Sequence, residues 1–308
     1  MYHSVTDDPS IAETVLGGIA HSQEVFRRQM EVIARHYQAV SLDDVWGFVK
    51  GEKDLPSRAA VVTFDDGYAD NYQAATEILD PMGIPGAFYV AVDCVDRQVL
   101  PWPALLRYAI LTSTKPRWVD PDQASWSLSS EDERYRAFAH ASDYCCKLTG
   151  NAQAGFVESV YAQLETIAPD CSNRFMMSWD ELRFLSLKGH TVGSHTMSHP
   201  NAAQIPETEL RRELFDSKSR LEQELGAPVS HFSYPCPALQ PHWSEKTVIA
   251  SQHAGYATAV TTDAGIVCRG DNPLTLHRVR PSKTVEGLRW NLERAFVESD
   301  RKRELARA

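Results

Sequence analysis

The stretch Val62-Thr63-Phe64-Asp65-Asp66-Gly67-Tyr68, "VTFDDGY", runs an apolar segment directly into two adjacent carboxylates and a glycine. The run preceding it, "AAVVTF" (59–64), has the β-branched and aromatic content of a buried strand. Side chains on a strand alternate between its two faces, so Asp65 and Asp66 can share a pocket only if the chain turns there, and Gly67 permits that turn. Taken alone, a "DDG" of this kind reads equally as a loop whose aspartates cap a helix or bond their own backbone.

Outward from this stretch the chain alternates strand-like and helix-like segments. Before it stand "MYHSV" (1–5), a helix over "QEVFRRQMEVIARHY" behind Ser22, and the short helix "SLDDVWGFVKG" stopped by Gly51. After it come the helix "NYQAATEILDPMG" and the strand "GAFYVAV". From about 96 to 172 the rhythm breaks into three helical segments joined by polar loops, which reads as a helical insertion. It then resumes with "SWDELRFLSLKG", "HTVGS", a long helix over 206–226, "HFSY", "WSEKTVIASQHAG", "YATAVTT" and "LTLHRV", and closes in a charged amphipathic helix over 284–308. Such βα repetition predicts a parallel sheet or barrel, in which sites form at the carboxyl ends of strands. Asp65, Asp66, His195, Ser233 and His277 all fall at such ends.

Composition bounds the function. A net charge of −10 leaves no clustered basic footprint for nucleic acid, and no apolar run approaches the roughly 20 residues that span a bilayer. Six thinly spread cysteines (Cys94, Cys145, Cys146, Cys171, Cys236, Cys268) form no CxxC pair, which argues for a reducing compartment over a disulfide framework. The expected location is cytoplasmic, with the Lys- and Arg-bearing terminal helix allowing a peripheral membrane contact. An upstream start would instead make the protein exported.

The second chemical signal is "GSHTMSHP" (193–200), where His195 and His199 stand four apart, a spacing that sets two imidazoles on one side of a helical turn. Two imidazoles and one carboxylate make an open three-ligand site suited to Zn²⁺ or a similar divalent ion. One aspartate then binds the cation while the other is free to take a proton from the attacking water, and their different roles call for different environments.

Together, "TFDDGY", "GSHTMSH", "HFSYPCP" and "SWDELRFLSLKGHTVGSHTMSHP" resemble the polysaccharide deacetylases, the NodB-homology or family 4 carbohydrate esterases, over residues 1–95 and 173–285. "MYHSV" and "AVTTDAG" resemble the branch with an N-terminal YH strand. The resemblance implies a single domain over 1–308, a distorted (β/α)7-type barrel with the 96–172 helical insertion, and metal-dependent removal of acetyl groups from N-acetylated sugars. It makes Asp65 the catalytic base and Asp66, His195 and His199 the ligands of a divalent metal, Zn²⁺ first with Co²⁺ or Ni²⁺ as alternatives. Thr63 and Gly67 match scaffold positions, and Ser194 and Ser198 support the histidine loop.

Where many members carry Arg-Pro-Pro-Tyr-Gly, this chain has Ser233-Tyr234-Pro235-Cys236-Pro237, so the base-orienting arginine must come from elsewhere, with Arg278 and Arg280 as candidates. Cys236 can still present a backbone N–H to an oxyanion, which its flanking prolines cannot. "PLTLHRV" offers His277 as the acid that protonates the departing amine. His3, Tyr68, Tyr234, Pro235 and Arg278 are expected around the substrate. Trp179 and Trp243 are further aromatic candidates, and Trp102, Trp118 and Trp126 of the insertion are expected as helix anchors or substrate contacts. The expected partner is an N-acetylated glycan, or a lipid- or nucleotide-linked amino sugar. Competing readings are a hydrolase of a small amide or imide, and an inactive carbohydrate-binding homologue.

Overall fold

The computed structural model describes all residues except 9, 170–173 and 306–308, so Cys171 and the far boundary of the insertion lie outside the described residues. Six strands form the central sheet: β1 (Val62–Phe64), β2 (Gly86–Val90), β3 (Thr191–Ser194), β4 (His231–Ser233), β5 (Thr258–Ala264) and β6 (Leu276–Arg278). They hydrogen-bond in chain order, and every neighbouring pair is parallel. The residues of β1, β2 and β4 are buried throughout, as expected of a parallel sheet covered on both faces.

The sheet curls until its edges face one another. Tyr2 N–H donates to the Thr63 carbonyl at 2.7 Å, and the Tyr2 carbonyl accepts from Asp65 N–H at 3.0 Å. On the other side, the Met1 nitrogen donates to the Val279 carbonyl at 3.1 Å. The first two residues thus bridge β1 to the end of β6 and complete a distorted (β/α) barrel. "MYHSV" is only partly a strand in its own right, since Ser4–Val5 turns away to pair with Ala20–His21.

Helix starts follow the capping chemistry written in the sequence. Ser41 with Asp44, Ser130 with Glu133 and Ser178 with Glu181 form reciprocal capping boxes. The Glu207–Leu225 helix ends at Gly226 in the left-handed conformation. With the Gln23–His36 helix, which contributes Phe26 and Met30, the helices over 179–187 and 207–225 press Leu182, Leu185 and Leu214 onto Phe64, Phe88 and Phe232 of the sheet.

The insertion contributes helices Trp102–Thr112, Glu131–Cys145 and Gly150–Leu164, together with an antiparallel hairpin (Arg117–Val119 with Ser125–Ser127) that sequence pattern did not reveal. It carries a core of its own around Leu106, Ile110, Trp118, Leu128 and Val160. Trp118 is therefore a core anchor, and Trp126 stacks on His140 and donates to Asp120. The final helix, Val285–Leu305, packs on Gln23–His36. No helix among the described residues is long and apolar enough to cross a membrane.

Candidate metal centre and active site

Asp65 directly follows β1, and after it Asp66 adopts φ +76° and Gly67 φ +88°. This turn swings two adjacent carboxylates to the same side. A Cβ on Gly67 would come within 3.2 Å of Val90 Cγ1, so the turn also needs a residue without a side chain. Non-glycine residues rarely hold positive φ, yet His199 (φ +61°) and Thr196 (φ +67°) do so as well. Backbone cost of about 1–3 kcal/mol per such residue persists only where surrounding contacts over-determine the conformation.

Those contacts are visible around residues 195–199. This segment is a loop rather than the helical turn that the four-residue spacing implied. The buried Glu213 carboxylate accepts from Met197 N–H at 2.8 Å, Ser198 N–H at 2.9 Å and Ser198 Oγ at 2.6 Å. Thr196 Oγ1 accepts from His199 N–H, and Ser194 Oγ accepts from Thr196 N–H. Trp102, at the start of the insertion, donates its indole N–H to the His199 carbonyl at 2.9 Å. With its backbone so fixed, the loop sets the two imidazole centroids 4.9 Å apart.

Asp66, His195 and His199 are all buried, and each offers a ligand atom within 4.8 Å of the others. Asp66 Oδ1 lies 3.1 Å from His199 Nε2 and 3.4 Å from His195 Nε2, yet it makes no well-directed hydrogen bond. Three donor atoms converging on one buried point, with an oxygen left unsatisfied, fit a cation better than they fit one another. His195 Nδ1 contacts the Ser233 carbonyl at 2.7 Å, which turns Nε2 toward Asp66 as the atom available to a cation. Burial works to raise the Asp66 pKa, but His199 and His195 outweigh it and hold the carboxyl well below its ordinary value. Burial lowers His195 while Asp66 and Asp65 raise it, and the net shift is upward.

Asp65 sits in a different environment. Both its oxygens take a guanidinium N–H of Arg278 at 2.8 Å, and Arg278 also reaches Ser233 Oγ, Thr63 Oγ1 and the Thr261 carbonyl. Burial would raise the Asp65 pKa; Arg278, followed by His195, instead brings it down to about 2. The arginine missing from the β4 loop is therefore replaced spatially from β6. Arg278 contacts Asp65, not the open cavity where substrate was expected to meet it.

A cavity of about 410 Å³ opens over this centre and is lined by Asp65, Asp66, His195, His199, His3, Tyr68 and Cys236. Tyr68 is buried at its edge rather than displayed as a platform. Three expectations need correction. His277 is exposed and lines a separate apolar cavity of about 370 Å³ beneath the C-terminal helix, because strand alternation turns it away from the face that Arg278 occupies. Tyr234 is fully buried, packed edge-on to Phe232 with its hydroxyl 3.2 Å from Ser251 Oγ. Pro235 is buried outside the cavity, and Pro237 lines it instead. Nor do Trp179 and Trp243 line it: their indole N–H groups bond Asp96 and Asp263.

Comparison with known proteins agrees with this fold. The family model "Polysaccharide deacetylase" matches residues 52–259. This chain belongs to the polysaccharide deacetylase family. YxkH of Bacillus subtilis (strain 168), which its name places among the polysaccharide deacetylases, is 25% identical over 300 residues, covering 97% of this chain and 75% of that protein. Among solved structures, the Streptococcus pyogenes deacetylase PplD in complex with acetate shares the fold with a TM-score of 0.62 at 16% identity, over 95% of this chain and 96% of PplD. IcaB from Ammonifex degensii aligns with a TM-score of 0.58 at 18% identity, over 91% and 89% of the two chains. As a polysaccharide deacetylase, the chain is a carbohydrate esterase that hydrolyses N-acetyl amide bonds.

Sequence reading missed Glu213. Its signal was present: Leu210, Leu214, Ser217 and Leu221 mark the buried stripe of the 207–225 helix, and Glu213 places a carboxylate within that stripe.

Proposed function

We propose that the protein is a divalent-metal-dependent de-N-acetylase acting on an N-acetylhexosamine within a glycan or a lipid- or nucleotide-linked precursor. The observation that carries this reading is the buried Asp66–His195–His199 cluster beside an Asp65 that Arg278 holds ionised. A Zn²⁺ ion held by these three residues, or Co²⁺ or Ni²⁺ in its place, would supply Lewis acidity to the acetamide carbonyl and to a water molecule.

Asp65 accepts the proton of the attacking water. A carboxyl with a pKa of about 2 retains a proton poorly, so the proton must move on. His3 is the cavity imidazole outside the ligand cluster that lies within electrostatic reach of both aspartates, and burial lowers its pKa, keeping it neutral and able to receive that proton. It then hands the proton to the departing amine, a role that the outward-facing His277 cannot perform. The Cys236 N–H, set between two prolines, is the backbone donor offered to the developing oxyanion. The C–N bond breaks, and acetate and a free amino sugar leave.

An inactive sugar-binding homologue would need neither an ionised base nor its arginine clamp. Acetate release from N-acetylglucosamine oligomers and from lipid- or nucleotide-linked N-acetylglucosamine, measured with zinc and again after chelation, tests the reading. Chelator-sensitive release supports it. Zinc-bound protein that releases no acetate from any of these substrates refutes it.

A further inference from the structure

The catalytic cavity has a basic wall that the proposed hydrolysis leaves unused. The 3-10 turn Gly17–Ile19 and the short strand Ala20–His21 run along one side of the cavity. Arg107 from the insertion lies over one end of it, where a Cβ on Gly17 (φ +60°) would stand 2.7 Å from the guanidinium carbon; the glycine leaves the space that the arginine fills. At the other end Lys283 donates to the Ala20 carbonyl, which brings the segment carrying Arg280 alongside. Arg107, Arg280 and His21 all line the cavity.

The two guanidinium groups have donor capacity to spare. Arg107 is fixed by bonds from Nη2 to the Glu13 carbonyl and the Tyr135 hydroxyl, but its Nε is buried without a partner. The Arg280 side chain has no hydrogen bond or ion pair among the described residues. His21 is 6% exposed, with both ring nitrogens buried and its ring against the Ile19 and Ser282 backbone. Burial, then Lys283, pulls its pKa down to about 4, so it brings no charge to the wall. Asp65 and Asp66 are the acidic side chains lining the cavity, and Arg278 and the histidine cluster already engage them. Arg280 is exposed and Arg107 partly buried, so a chain of net charge −10 presents unpaired positive charge at the rim of its catalytic cavity, where it attracts an anionic ligand.

We propose that this wall is an anion subsite in which Arg107 and Arg280 receive a carboxylate or phosphate carried next to the reacting N-acetyl group, so that the preferred substrate is an anionic N-acetylated glycan or sugar phosphate. The inference rests on the de-N-acetylation reading and narrows its substrate class.

The test compares kcat/KM for acetate release by the zinc-loaded full chain on three probes: a neutral N-acetylglucosamine tetramer, a tetrasaccharide alternating N-acetylglucosamine with glucuronate, and N-acetylglucosamine 1-phosphate. An anionic probe is expected to exceed the neutral one by about tenfold at low ionic strength, the scale of one hydrogen bond to a charged group. High salt and Arg280→Gln should each shrink that ratio, with Arg107→Gln as a second variant. Preference for the glucuronate probe identifies a glycan carboxylate, and preference for the phosphate probe identifies a sugar phosphate. Equal turnover of all three, or an Arg280→Gln effect that scales every probe alike, overturns the subsite while leaving deacetylation standing. Should no probe release acetate, the deacetylation reading fails, and calorimetric binding of the same probes decides the subsite. Anion-selective binding lost in Arg280→Gln would uphold it, and equal binding would overturn it.

Discussion

Asp65 and Arg278 form a two-pronged ion pair, buried and 2.8 Å long on both prongs, between residues 213 positions apart in the chain. It joins the first strand of the central sheet to the last and fixes the charge state of the proposed base. Arg278→Gln should lower kcat about 10²-fold and cost about 3–5 kcal/mol of stability, because a buried carboxylate loses its partner. The Asp65 pKa lies below its ordinary 3.8, so its stabilisation is present above that value and disappears as pH falls toward about 2. The shift corresponds to roughly 2 kcal/mol. Urea denaturation from about pH 5 down to about pH 2 should show that acid-limb loss in the parent, and a flatter limb in the variant.

Metal loading should stabilise the fold by mass action. Zinc at a hundredfold excess over its Kd adds about 2.7 kcal/mol, visible as a raised Tm that a chelator reverses. Asp66→Asn, His195→Asn and His199→Asn should each abolish the shift and the bound metal measured by elemental analysis. A shift that persists undiminished in all three would place the cation elsewhere.

Glu213 holds the histidine loop through three hydrogen bonds without facing the cavity. Glu213→Gln should weaken zinc affinity about 10–100-fold, the range for residues that orient ligands. Far-UV circular dichroism should stay unchanged. Unaltered affinity would mean that the remaining bonds from Thr196, Ser194 and Trp102 suffice.

His277 and His3 make a paired test. His277→Ala should leave kcat/KM within about twofold, as expected of an exposed side chain remote from the reacting groups. His3→Ala should reduce kcat about 10²-fold and change the pH profile, the magnitude of a lost proton-transfer partner. The opposite ranking would mean that His277 reaches the amine through a rearrangement of β6.

The candidate ligand cluster was readable because it is local: a turn glycine follows Asp66, and the two histidines stand four apart. Burial of runs such as "GAFYV" likewise made the parallel sheet readable. What escaped was phase. In Leu276-His277-Arg278 two adjacent polar residues compete for one inward position, and the winner is set by Asp65, which lies across the sheet closure and outside any local window. Tyr234 failed similarly: its N–H continues the ladder to the Val260 carbonyl, and its ring enters the core when the neighbouring motif suggested the rim. The insertion hairpin went unseen because its Arg117–Val119 and Ser125–Ser127 strands are too short to show alternation. Glu213 was hidden by belonging to a helix whose surface is rich in charge.

The bridge that Tyr2 makes to Thr63 and Asp65, taken with the grip of Arg278 on the same aspartate, has a bearing on biosynthesis. A ribosome-bound chain that has not yet delivered residue 278 already contains every proposed metal ligand, but not the group that keeps its base ionised. The two ends of the sheet therefore meet at one aspartate, so the proposed site is complete only once both ends have been synthesised and docked.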